Sequence, residues 1–109
     1  MSFSLTTMQM RSRIKTVTRR MGWKNLRPGE HVLAVEKGMG LKKGEKVKPI
    51  YPIAVLSVSF EPVSAITQEE VDREGFHYMN PPEFVRFFCR ANGCTPETVI
   101  TRIEFRELT

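Results

Sequence analysis

No aspartate or glutamate occurs before Glu30 in this chain of 109 residues, and that absence is the first of several that narrow its function. Cysteine is nearly missing as well. Cys89 and Cys94 are too few for the disulfide framework that staples small secreted domains. No apolar run is long enough for a signal peptide core or a membrane span, so a cytoplasmic protein without membrane association is expected. The spacing C-x4-C, with His77 upstream, matches no strong zinc pattern, and neither a metal nor a cofactor is expected. Linkers and internal repeats are also lacking. The length fits one domain over residues 1–109, expected to be a monomer, whose folding removes roughly 65% of the unfolded chain's accessible surface and needs no staple.

What is present is positive charge, unevenly placed. Residues 1–29 hold seven Lys/Arg and no acid, residues 30–60 hold five against three, and residues 61–109 hold five against nine, within a net charge of +5. Such segregation points to a binding face, or to a solvated basic surface that serves solubility. At its centre stands Lys15-Thr16-Val17-Thr18-Arg19-Arg20. The guanidinium fork and the threonine hydroxyls beside it suit a phosphate or another anionic group, so a nucleic acid or a nucleotide is the expected partner.

The remaining pattern reads as a small α+β domain on a curved or closed sheet with helices inserted. Phe3 to Leu5 reads as an edge strand, and Thr6 or Thr7 as the cap of a short helix ending near Ser12. Lys15 to Arg20 follows as a strand. Pro28-Gly29 fits a type II turn before a strand over His31 to Glu36, and Gly38 to Lys46 reads as a mobile basic loop. The β-branched run from Tyr51 to Phe60, bounded by Pro52 and Pro62, suits a central strand. Thr67-Gln68-Glu69-Glu70 forms a capping box, stapled by Ile66 and Val71, for a helix that Gly75 stops. Asn80, Pro81 and Glu83 open a second helix carrying Phe84, Phe87, Phe88 and Ala91 up to Gly93. Thr98 to Phe105 closes the chain as a strand.

Glu74 falls in the last turn of its helix, where the macrodipole disfavours an anion. Such a break with a local rule is expected at working sites, although an exposed glutamate tolerates it too. Trp23, the lone tryptophan, can stack on a base or plug the bottom of the barrel, and the plug is the stronger expectation because a single tryptophan usually buries most of its area.

Lys15-Thr16-Val17-Thr18-Arg19-Arg20, then Leu26-Arg27-Pro28-Gly29-Glu30, then Ile66-Thr67 opening a helix that ends in Glu74-Gly75-Phe76, and a Val/Ile/Phe-rich closing strand together resemble the ASCH domain family. The likeness spans nearly the whole chain. The segment Gly-Met-Gly-Leu-Lys-Lys-Gly from Gly38 is similar to small stand-alone members from bacteriophages and prophages. The resemblance implies a PUA-like pseudobarrel, a small β-barrel of curved mixed sheet with two or three inserted helices. It also implies a cleft holding the K-T-x-T-x-R signature, here Lys15, Thr16, Thr18 and Arg20, opposite the acid Glu74.

For that cleft the resemblance implies RNA or a modified nucleoside as ligand, with Arg13, Lys15, Thr16, Thr18, Arg19, Arg20 and Trp23 as candidate contacts. Some members resemble an N4-acetylcytidine amidohydrolase and others are ribonucleases, which would make Lys15, Thr18 and Glu74 a catalytic set. Thr18 would attack the amide carbonyl, a neutral Lys15 would take its proton, and Glu74 would orient the lysine or protonate the leaving nitrogen. A third reading is a phage adaptor whose basic face binds an acidic host protein. In a regular strand Lys15 and Thr18 face opposite ways, so the set forms only if the chain bends near Lys15 or Thr16.

Overall fold

A computed structural model describes residues 1–37 and 43–108; the expected loop from Gly38 to Lys46 lies largely outside these described residues. The element order is α1 (Thr7–Arg11), β1 (Val17–Arg20), β2 (His31–Val35), β3 (Pro49–Pro62), a 3-10 turn (Val63–Ala65), α2 (Gln68–Arg73), α3 (Pro81–Asn92) and β4 (Val99–Glu107). The four strands form one sheet in the order β1-β4-β3-β2, curled into a half-barrel that the helices complete. The expected α+β class, a curved sheet with inserted helices, is therefore the observed one. All strand pairings are antiparallel, so the sheet is not mixed; the parallel contact seen is one bridge between Ser2 and Val35.

Local chemistry accounts for most boundaries. Pro28 and Gly29 (φ +92°) turn the chain between Arg27 and Glu30, whose N–H donates to the Arg27 carbonyl at 3.2 Å. The β-branched run of β3 extends past Pro52 to Pro49. Its ladder to β4 starts only at Ile53, so the missing N–H of Pro52 falls at the end of that ladder. Asn80 and Glu83 close a full capping box on α3, and Gly93 in the left-handed region ends it.

Three expectations need correction. Phe3 to Leu5 is not a strand, because its only sheet contact is the Phe3 N–H to the Val35 carbonyl beside the single bridge. Neither Thr6 nor Thr7 caps α1 with its side chain; the Thr7 hydroxyl donates instead to the Phe3 carbonyl. On α2 the Thr67 hydroxyl accepts from the Glu70 N–H, but Glu70 does not return the bond, since arginines have taken its carboxylate.

The core divides into two clusters. Val63, Ile66, Val71, Phe76, Phe84, Phe88 and Ile100 pack between the sheet and α2 and α3. Phe3, Met10, Ala34, Ile53 and Phe105 fill the space under α1. The staple residues Ile66 and Val71 both belong to the first.

Candidate functional site

Edge strand β1 runs along the seam between the two clusters, where a cavity of about 220 Å³ opens. Phe3 from one cluster and Phe76, Phe84 and Phe88 from the other supply its apolar wall, and Lys15, Thr18, Arg19, Arg20 and Glu74 its polar floor.

The bend that brings Lys15 to the same cavity as Thr18 lies before β1. Arg13 adopts a left-handed backbone (φ 64°), and the Gln9 carbonyl then accepts from the N–H of both Ile14 and Lys15 at 3.1 and 3.3 Å, folding the segment back onto α1. Regular pairing begins only at Val17. Strand parity consequently does not apply between Lys15 and Thr18.

Lys15 is 3% exposed, and its ammonium donates to the Glu74 carboxylate and, at 3.1 Å, to the Glu74 carbonyl. One cation thus answers both the side-chain charge and a free carbonyl at the end of α2, which removes the macrodipole conflict noted in the sequence. Glu74 stays at 3% exposure because Gly75 (φ +98°) lets the chain press on α1; a Cβ there would lie 2.6 Å from Cγ of Gln9. Burial pushes the Lys15 amine below its ordinary value, against the opposing pull of Glu74.

Arg19 and Arg20 have different surroundings. The Arg19 guanidinium donates to Glu61 at 2.7 Å, to Glu70 at 3.0 Å and to Glu74 at 3.3 Å. Glu70 also holds Arg102 and Arg73, and Arg73 goes on to Glu104 and the Thr16 hydroxyl. Burial would raise the Glu70 carboxyl, but hydrogen bonds from Arg102 and Arg19 outweigh it and hold the group at about 2. The Nε of Arg19 is buried without a partner among the described residues.

Arg20 has no carboxylate partner among the described residues. Its Nε donates to Thr18 Oγ1 at 3.2 Å and its guanidinium lies 4.5 Å from the centroid of the Phe3 ring. Burial brings it down to about 10, with Glu74 opposing. A guanidinium held this way retains donors for an incoming oxygen.

No protein-family model and no curated protein matches the sequence. Solved structures do. A protein from Enterococcus faecalis V583, described under the family model DUF984, is similar at a TM-score of 0.63 and 16% identity, over 96% of this chain and 71% of that one. The ASCH domain from Lactobacillus crispatus JV V101 is similar at a TM-score of 0.58 and 17% identity, over 94% and 70% respectively. The chain has the ASCH-domain fold.

Within that ASCH fold, five of the sequence candidates, Lys15, Thr18, Arg19, Arg20 and Glu74, meet at one cavity, where Glu74 ties Lys15 to Arg19. The other three do not line it. Arg13 is half exposed, paired with Glu107 and placed over the Tyr51 ring. Thr16 spends its hydroxyl on Arg73. Trp23, 42% exposed, neither plugs the barrel nor reaches the cavity. Left-handed backbone at Gly22 and Trp23 turns the chain outward, the Thr101 hydroxyl anchors the Gly22 carbonyl, and phenylalanines fill the interior instead.

Sequence reasoning missed Glu61, Glu70 and the phenylalanine wall. Glu70 was legible only as a capping residue. Helical spacing named Phe84, Phe87 and Phe88 as core without showing that a cavity would open beside them.

Proposed function

We propose that the cavity binds one base or nucleoside, free or as part of RNA, with the ring against the phenylalanines and an oxygen of the ligand on Arg20. The observation that carries this reading is the Arg20 guanidinium, half buried beside an aromatic wall and free of any carboxylate among the described residues. Lys15 is neutralised by Glu74, and Arg19 by three carboxylates, so the floor offers one uncommitted cation in place of a phosphate-binding strip. The volume, below the roughly 300–1,000 Å³ usual for drug-sized ligands, suits a single base or nucleoside.

Mass spectrometry of the protein with a panel of modified nucleosides and short RNAs tests the proposal and separates binding from turnover. Retention of a nucleoside by the parent, lost in Arg20→Ala, is the expected result. Affinity for an acidic protein without any nucleoside dependence would overturn it and support the adaptor reading.

A hydrolase reading is second, favoured by the Lys15 amine that burial lowers and by the Arg20 hydrogen bond on Thr18. Moving the shared proton from Lys15 to Glu74 would create a neutral amine. Thr18 Oγ would then attack an amide carbonyl as Lys15 takes its proton, and Glu74 would protonate the leaving exocyclic nitrogen, leaving an acyl-threonine for water to cleave. Under this reading Thr18→Ser keeps part of the deacylation of an acylated cytidine, whereas Thr18→Ala and Lys15→Ala lose nearly all of it. Equal nucleoside binding by Thr18→Ala and the parent, with no turnover by either, would remove the catalytic role.

A further inference from the structure

Cys89 and Cys94 take no part in the cavity, yet the way α3 ends brings them together. Gly93 (φ 64°) turns left-handed, and the Cys89 carbonyl then accepts the N–H of Gly93 and, at 3.2 Å, that of Cys94. Closure by this six-residue bond commonly brings the side chains of its first and last members together, and here both are cysteines. The two side chains pack against the same core cluster. Both thiols are free and partly exposed.

We propose that Cys89 and Cys94 are a reversible disulfide pair, oxidised by exchange with a low-molecular-weight disulfide such as glutathione disulfide, and that the bond fastens the end of α3. That end carries Ala91 and Asn92, which line the cavity rim, so oxidation acts on the wall of the site without touching its polar floor. Burial and the neighbouring sulfur push the Cys89 thiol up, which makes it a poor first nucleophile near neutral pH. The Cys94 thiolate attacks one sulfur of glutathione disulfide, forming a mixed disulfide and releasing one glutathione thiolate. The Cys89 thiolate then attacks the Cys94 sulfur, breaks the mixed bond and releases the second. Two protein thiols are oxidised, one small disulfide is reduced, and the two cysteine protons end on the glutathione thiols.

The test equilibrates the full chain in a series of reduced and oxidised glutathione mixtures, blocks remaining thiols by alkylation and weighs the protein. Both thiols should disappear together, with no glutathione retained, while Cys89→Ser and Cys94→Ser should each keep one glutathione. Amide exchange at Asn92, Gly93 and Cys94 should slow several-fold in the oxidised parent. Two alkylated thiols across the whole series, or a parent carrying two glutathiones, would overturn the pair. Formation of the disulfide with unchanged exchange at those amides would overturn the fastening of α3.

Discussion

Arg19 and Arg20 are neighbours on one edge strand, yet one is enclosed by carboxylates and the other by a hydroxyl and a ring. Successive residues of a strand point to opposite faces. Arg19 shares its face with its cross-strand partner Arg102, and both converge on Glu70. Arg20 shares its face with Thr18. Parity thus divides two identical cations into a component of the framework and a candidate ligand contact. The charge segregation seen in the sequence is largely undone on the first face, where acids from residues 61–104 close over an acid-free segment.

The sharpest way to break this comparison is to remove each arginine in turn. Arg19→Met leaves Glu61, Glu70 and Glu74 short of a buried counter-charge and should cost about 3–5 kcal/mol of stability in urea unfolding. A loss below about 1 kcal/mol, the range of exposed pairs, would show that the network is solvated. Arg20→Met removes a cation with no acid to abandon, so stability should stay within about 1 kcal/mol. Its nucleoside affinity should instead fall by about ten- to a hundredfold, the worth of a hydrogen bond to a charged group. Calorimetric titration against the best nucleoside of the panel reads that loss, and an unchanged affinity would remove Arg20 from the site.

Much of the scaffold was legible because it is local. Pro28-Gly29, the Thr67 and Asn80 caps and the glycine stops each act within a few residues, and the structure uses all of them. The candidate site was legible in composition but not in geometry. Lys15 and Glu74 are 59 residues apart, and their meeting depends on a left-handed residue at Arg13, a position where propensity gives no warning. Glu70 was misread for a related reason: a capping box is a local alternative, and Arg19 and Arg102, brought in by the tertiary fold, outcompete it together with Arg73 one turn along the helix.

Acid titration sharpens the same contrast at lower cost to the fold. Glu70 titrates at about 2 in the folded chain against an ordinary 4.5, so its contribution is fully present above about pH 4.5 and is lost as pH falls through 2. The urea midpoint should decline over that window. Glu70→Gln should start lower and decline less, and parallel curves for the two proteins would place the proton uptake elsewhere. Arg20 contributes nothing to this acid limb, since it stays charged throughout it.

The smallest effect is expected at Arg13, which belongs to the same basic segment but lies off the cavity. Three modest contributions meet in Arg13→Gly. Glycine relieves the left-handed backbone, roughly 1–2 kcal/mol for a side chain with a Cβ. It adds backbone freedom to the unfolded chain, about 0.5–1 kcal/mol in the other direction. It also removes the solvent-exposed contacts of the side chain with Glu107 and the Tyr51 ring, a small loss. These nearly cancel, so the unfolding midpoint should scarcely move and nucleoside affinity should match the parent. A drop in affinity comparable to that of Arg20→Met would mean that the ligand reads the basic segment as a whole, and that strand parity does not select the cation it touches.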